Sequence, residues 1–452
     1  MSNHRPIGAA TKGLALRGPR TLGELREQFA ATPHVIGGSL TRYPVLELRQ
    51  EAVAHNIALM AAVTGRLGVQ HAPHIKTSMS PQLVQQQLSA GSWGVTTATV
   101  GHISALLSWG LTGLDNIFHA NQVVRPEDAA YLASEVHAAH VDGRELTIYV
   151  YVDSAAGVSG ISQGITEFVA STGLNADAAE DVRKHLVVTV ELGVPDGRTG
   201  VRSTDDAREV ARCAREAGLT VRGVSGYEGS VASGQTVEDL HAVGEFVREL
   251  RSLAGLLVEE GLIDVAAGGG EIGSVIVSAG GSAYLDVVLA ELAGPIALSG
   301  TGEQIPVIPV VRAGAYVIHD HGLLERANPW KRMPAQWFGD AESAQPQAAA
   351  TIHAVVLSTP EPGLALLNVG RRDLPFDIDL PRILSHNGWQ VTAVNDQHAF
   401  VRPVAGEEPE PLQPGDIMTL GISHPCTLFD KWTHALVTDN DHRIVDIIET
   451  QF

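Results

Sequence analysis

HLVVTVELGVPDGRTGVRSTDDAREVARCAREAGLTVRGVSGY, residues 185–227, is the stretch whose reading decides the fold. Its two ends, LVVTVEL and TVRGVSG, are short β-rich runs of the kind that form buried strands. Between them DDAREVARCAREAG (205–218) has helical periodicity. A buried strand, a helix and another buried strand predict parallel pairing through a crossover.

The same rhythm extends in both directions. Upstream, PVLEL (44–48) precedes RQEAVAHNIALMAAVTGRL (49–67), in which Val53, Ile57, Met60 and Ala61 share one helical face. HAPHIK precedes SPQLVQQQLSA, where Pro81 suits a first helical turn. WGVTTA, NIFHA and LTIYVYVD follow as further strands, and IGSVIVSAGGSAYLDVVLAEL (272–292) closes the series. About eight such units predict an α/β fold, a (β/α)8 barrel over residues 45–302, with an open doubly wound sheet as the alternative. In a barrel the chemistry gathers at the C-terminal ends of the strands. From residue 303 to 452 the texture changes to short strands such as ATIHAVVLST, WQVTAVNDQHAFVRP and RIVDIIETQF, separated by Pro, Gly and Asp, which predicts an antiparallel β domain. Residues 1–44 have no evident placement.

Composition narrows the function. The chain has 452 residues, 44% hydrophobic and 18% charged, enough for a sizeable core. Asp and Glu number 51 against 31 Lys and Arg, a net charge of −20 that disfavours nucleic acid and anionic membrane surfaces as partners. The N-terminus lacks a secretory apolar core and no stretch approaches ~20 uninterrupted apolar residues. Cys213 and Cys426 cannot make a disulfide framework. These features predict a soluble, cytoplasmic, enzyme-sized protein.

Only five lysines occur: Lys12, Lys76, Lys184, Lys331 and Lys431. Lys76 falls at the end of the second expected barrel strand, where a partly dry amine has a lowered pKa and attacks carbonyls to form a Schiff base; the alternative is a strand-end lysine reaching solvent. Gly280-Gly281-Ser282, between a strand and a helix, suit an anion through close backbone N–H groups and the helix N-terminus, although an ordinary tight turn reads the same way. The 268–273 stretch satisfies G-x-G-x-x-G but lacks a following helix, so it reads as a loop and not a dinucleotide site. His424-Pro425-Cys426 places nitrogen and sulfur two residues apart, on one face if the segment is a strand, which suits zinc. A buried Cys beside a hydrogen-bonded His is the plainer reading, and His319-Asp320-His321 is the rival metal pair. Arg198-Thr199-Gly200 and Tyr227-Glu228-Gly229 are polar clusters that fix no reaction alone.

Taken together, HAPHIKTS (71–78), SAGSWGVTTATVGH (89–102), GYEG (226–229), AGGSAYLD (279–286), RAGAYVIHDHG (312–322), GRRDLPFD (370–377), NDQHA (395–399) and SHPCTLFDKW (423–432) resemble fold-type III pyridoxal-phosphate enzymes, in the D-serine dehydratase/D-threonine aldolase branch. The resemblance runs from about residue 43 to the end. It implies an alanine racemase-like barrel followed by a D-serine dehydratase-like β domain. It implies pyridoxal 5'-phosphate held through Lys76, with His74, Arg198, Tyr227, Gly280, Gly281 and Ser282 around it. It also implies a divalent metal, zinc above others, on His424 and Cys426, and a homodimer. Ser78-Met79 stands where several relatives carry His and Lys, and Arg371 where relatives often have Lys. The leading expectation is a lyase that converts a D-serine- or D-threonine-type amino acid to a 2-oxo acid and ammonia. The alternatives are retro-aldol cleavage to glycine and an aldehyde, a non-catalytic cofactor carrier, and an unrelated barrel hydrolase using His319 and His321.

Overall fold

The computed structural model describes residues 6–265, 273–339 and 345–452; most of the 268–273 glycine stretch lies outside the described residues. Eight parallel strands form the barrel: Gln70–His71, Val95–Thr97, Asn116–Gln122, Thr147–Val152, Leu186–Leu192, Val221–Gly226, Val275–Ala279 and Val307–Val311. The last pairs back onto the first. Between the first and second strands the ring closes through Trp93 N–H donating to the His71 carbonyl at 2.9 Å and Thr96 N–H to the Pro73 carbonyl at 2.8 Å.

Strand alternation explains the composition of these runs. Leu186–Leu192 is buried along its whole length. Val187 points into the barrel with Phe118, Tyr149, Tyr151, Ile276 and Val310, while Val188, Val190 and Leu192 face the surrounding helices. Continuing the inward row gives Thr189 and then Glu191, so the row ends in a carboxylate at the barrel mouth. Helix Thr204–Glu216 starts where Ser203 Oγ accepts from Asp206 N–H at 3.1 Å, and it buries Ala207, Val210, Ala211 and Ala214 as one stripe. No helix among the described residues is long and apolar enough to cross a membrane.

The second unit is a mainly antiparallel sheet whose long central strand is Ala350–Glu361. Here the domain boundaries expected from sequence need correction. Val45–Arg49 is not the first barrel strand: it pairs antiparallel with Ala350–Glu361 and parallel with His434–Thr438 inside the sheet. Val307–Val311, placed beyond the expected barrel end at 302, is the eighth barrel strand. A run buried on both faces reads alike in a parallel barrel and in the middle of an antiparallel sheet. Residues 6–44 belong with the sheet: Leu22, Leu25 and Phe29 of helix Leu22–Ala31 share a core with Val45, Leu436, Ile444 and Ile447.

Candidate active site

At the C-terminal ends of the barrel strands, beneath one edge of the sheet domain, lies a cavity of about 590 Å³. His74, Lys76, Arg198, Tyr227, Gly280, Gly281, Ser282, His424 and Cys426 all line it. Chain positions as far apart as His74 and Cys426 are thus brought to one place by the fold.

Lys76 sits in a single 3-10 turn, Ile75–Thr77, just after the first barrel strand. The other four lysines each meet a carboxylate: Lys12 with Asp373 at 2.8 Å, Lys184 with Glu180 at 3.6 Å, Lys331 with Glu325 at 2.8 Å and Lys431 with Asp430 at 3.2 Å. Among the described residues Lys76 has no such partner. Its chain is open to the cavity space, yet the enclosing walls strip enough water to lower the ammonium pKa; Arg198 and Arg312 push the same way, and Cys426 opposes them. His74 is held neutral by burial, with Lys76 and Arg312 as positive neighbours.

Opposite stands the His424–Cys426 pair. Contrary to the strand expected from sequence, these residues lie past strand Ile417–Gly421, with Cys426 in a 3-10 turn, Pro425–Thr427. The turn, rather than strand alternation, delivers both to the cavity wall. Asp377 Oδ2 lies 2.6 Å from His424 Nδ1, and Thr427 Oγ1 donates to Asp377 Oδ1 at 2.7 Å. A carboxylate on Nδ1 orients the ring and leaves Nε2 as the ligating nitrogen. Burial alone would raise the Cys426 thiol, but His424, Thr77 and Lys76 overrule it and hold the pKa down; Thr77 Oγ1 is 3.4 Å from the sulfur. A thiol with a lowered pKa and an oriented imidazole are a soft N/S donor pair that fits a zinc-type ion with positions left open. His319 and His321 do not line the cavity. His319 Nε2 is 3.5 Å from Glu325, and Asp320 Oδ1 accepts from Gly322 and Leu324 N–H at 2.8 and 2.9 Å.

The glycine turn is close to the rest of the floor. A Cβ on Gly280 would stand 2.4 Å from Arg312 N, and one on Gly281 would stand 2.6 Å from Glu228 Oε1. Gly280 donates its N–H to Glu228 Oε2 at 2.9 Å, so in this turn ahead of helix Leu285–Leu292 the Gly281 and Ser282 amides are the ones left to meet an anion. Arg198 lies over the Tyr227 ring at 4.8 Å.

Arg312 and Glu191, which line the cavity, and Glu228, which packs against its glycine turn, were given no role by sequence reasoning. Arg312 is buried, donates to Gly226 O at 2.7 Å and to Ser278 Oγ, and packs over Phe118 and Tyr151. A charge inside the apolar run VIPVVRAGAYVI is the same kind of signal that exposed Lys76. Glu228 is fully buried, and its Oε1 has no hydrogen-bond partner. Glu191 accepts from Gln122 at 2.7 Å and Thr199 at 3.1 Å. Cofactor-type chemistry fits this setting: an amine with depressed pKa, a cradle too tight for side chains, and a buried polar atom left without a partner.

Comparison with known proteins agrees with this geometry. The family described as "Putative serine dehydratase domain" matches residues 349–438. A D-threonine aldolase of Arthrobacter sp is 28% identical over 409 residues, 90% of this chain and 91% of that one. The crystal structure of D-threonine aldolase from Filomicrobium marinum superposes with a TM-score of 0.66 at 20% identity, covering 91% of this chain and 95% of that one. D-threo-3-hydroxyaspartate dehydratase from Delftia sp. HT23 gives 0.65 at 20% identity, covering 91% and 97%. The resemblance read in the sequence is borne out: the chain is similar along most of its length to fold-type III enzymes of the D-serine dehydratase/D-threonine aldolase branch, and it is an enzyme of lyase type.

Proposed function

We propose that this protein is a pyridoxal-phosphate- and metal-dependent lyase that removes water from a D-β-hydroxy-amino acid of the D-serine or D-threonine type, releasing a 2-oxo acid and ammonia. The observation that carries the reading is Lys76, the lysine without a carboxylate, facing a His–Cys pair across one cavity.

When bound, pyridoxal phosphate supplies an electron sink, and zinc supplies a Lewis acid for the β-hydroxyl. The residues of the chain do the rest. Lys76, its pKa lowered by its surroundings, takes the proton from the substrate α-carbon. His424 and Cys426 would hold the metal, Asp377 fixes the imidazole, and the Thr77 hydroxyl steadies the sulfur. Ser282 and the Gly281 amide take the phosphate, and Arg198 presents a cation to an anionic group beside Tyr227. An ion on these two residues would keep coordination positions open for the hydroxyl. The same proposal places a homodimer in the cytoplasm, without nucleic-acid or membrane partners.

The Arthrobacter relative favours a second reading, in which the substrate's β-hydroxyl loses a proton and the Cα–Cβ bond breaks, giving glycine and an aldehyde; a metal on His424 and Cys426 would then serve to acidify that hydroxyl. Incubating the purified holoenzyme with D-threonine separates them. Ammonia with 2-oxobutyrate is the expected result, and glycine with acetaldehyde establishes the aldolase instead. Absence of either product, with the cofactor mapped to Lys76 after borohydride reduction, leaves a carrier.

A further inference from the structure

At the opposite end of the barrel from the cavity, three side chains outside the proposed chemistry converge. His140 is in the last turn of helix Pro126–Val141. Asp181 and His185 stand one turn apart on helix Ala176–His185, which feeds directly into strand Leu186–Leu192. One donor atom from each lies within 4.8 Å of the other two, and no other such group of three is found among the described residues.

The hydrogen bonds around the two imidazoles set their tautomers. His185 Nδ1 is 2.9 Å from the Asp181 backbone carbonyl, so it carries the proton and donates it. His140 Nδ1 is hydrogen-bonded to the Asp181 carboxylate. The Asp181 carboxylate thus faces Nδ1 of both rings, 3.4 Å from that of His185, so the donor atoms that converge are the two Nδ1 nitrogens and a carboxylate oxygen, and an ion entering between them would displace the Nδ1 protons. The rings meet edge to face, centroids 4.2 Å apart at 87°. Side-chain exposures of 15% for His140 and 28% for His185, with 40% for Asp181, leave the group partly open to solvent and within reach of an ion.

We propose that His140, Asp181 and His185 form a second divalent transition-metal site, structural in role, that ties two neighbouring helices together at the base of the barrel. Two imidazoles and a carboxylate are a borderline donor set suited to zinc, whereas calcium and magnesium prefer oxygen alone. Binding to the folded chain stabilises it by mass action and makes its melting temperature rise with free zinc.

The test uses tag-free holoenzyme carrying His424→Ala and Cys426→Ala, which removes the cavity pair whatever that pair does. After dialysis against micromolar zinc chloride and gel filtration, this variant is expected to retain about one zinc per chain by mass spectrometry. Adding His185→Gln is expected to reduce the content at least about tenfold and abolish the zinc-dependent rise in melting temperature, with the circular dichroism unchanged. No zinc in the double variant, or undiminished zinc after His185→Gln, overturns the site. Should the triple variant fail to fold, Asp181→Asn in the same background gives the same readout at the most exposed of the three residues.

Discussion

Glu47 in the sheet and Glu228 at the barrel mouth are both buried carboxylates, 1% and 0% exposed, and the fold treats them in opposite ways. Glu47 is surrounded by donors: His353 at 2.6 Å, Thr351 at 3.0 Å, Thr438 at 2.6 Å and His442 at 2.8 Å. Burial alone would raise its pKa, but the bonds from His353, Thr438 and His442 prevail and hold it at about 2. Glu228 has the Gly280 amide on one oxygen and nothing on the other, and burial pushes its pKa up. Where a charge serves the scaffold, its bonds are completed within the chain. Behind the glycine turn that lines the cavity, one carboxylate oxygen keeps bonding capacity unused.

The contrast can be broken at three places. Lys76→Ala should lower turnover by about 10³-fold or more, because the α-carbon loses its base. Its unfolding midpoint in urea should stay level or rise, since a desolvated amine without a counter-ion is removed; a midpoint that falls together with activity would make Lys76 part of the scaffold. Glu47→Ala should do the reverse, costing about 3–5 kcal/mol of unfolding free energy by stranding His353 and the threonine hydroxyls. The wild-type pH profile checks the same group. With a folded pKa near 2 against an ordinary 4.5, Glu47 contributes stability that is fully present above pH 4.5 and lost as the pH falls through 2. The drop from 4.5 to about 2 corresponds to about 3 kcal/mol, readable by denaturant titration at each pH. The smallest effect belongs to Glu228→Gln. The amide oxygen still accepts from Gly280 and no charge is buried, so stability should change by less than about 1 kcal/mol. A loss as large as that of Glu47→Ala would erase the distinction between the two acids.

Much of the architecture was legible because periodicity reports burial. LVVTVEL and the stripe of DDAREVARCAREAG could be read directly as strand and helix. PVLEL could not be assigned to its sheet, because the signal for a strand covered on both sides is the same in either domain. The glutamate in its centre was the clue, since a charge there needs several donors from flanking strands, and only the sheet provides His353 and Thr438. Lys76 stood out through the scarcity of lysine. His424 and Cys426 were picked by donor chemistry, but the geometry came from a turn that strand alternation does not foresee. Asp377 and Thr77 were invisible as partners, since they reach the pair from 47 and 349 residues away and no local spacing encodes that distance.

Because Val45–Arg49 lies between Ala350–Glu361 and His434–Thr438, the barrel is an insertion within the sheet domain, entered and left by the chain on the same side. A growing polypeptide emits that first strand about 300 residues before either neighbour exists, a delay of roughly 15–60 s at ordinary elongation rates. Throughout that interval its buried acid has none of its four donors. Translation stopped between the two events yields a ring with its amine in place and the opposite wall of the cavity missing, an assembly with half a reaction centre and an unmatched edge ready to join a stranger.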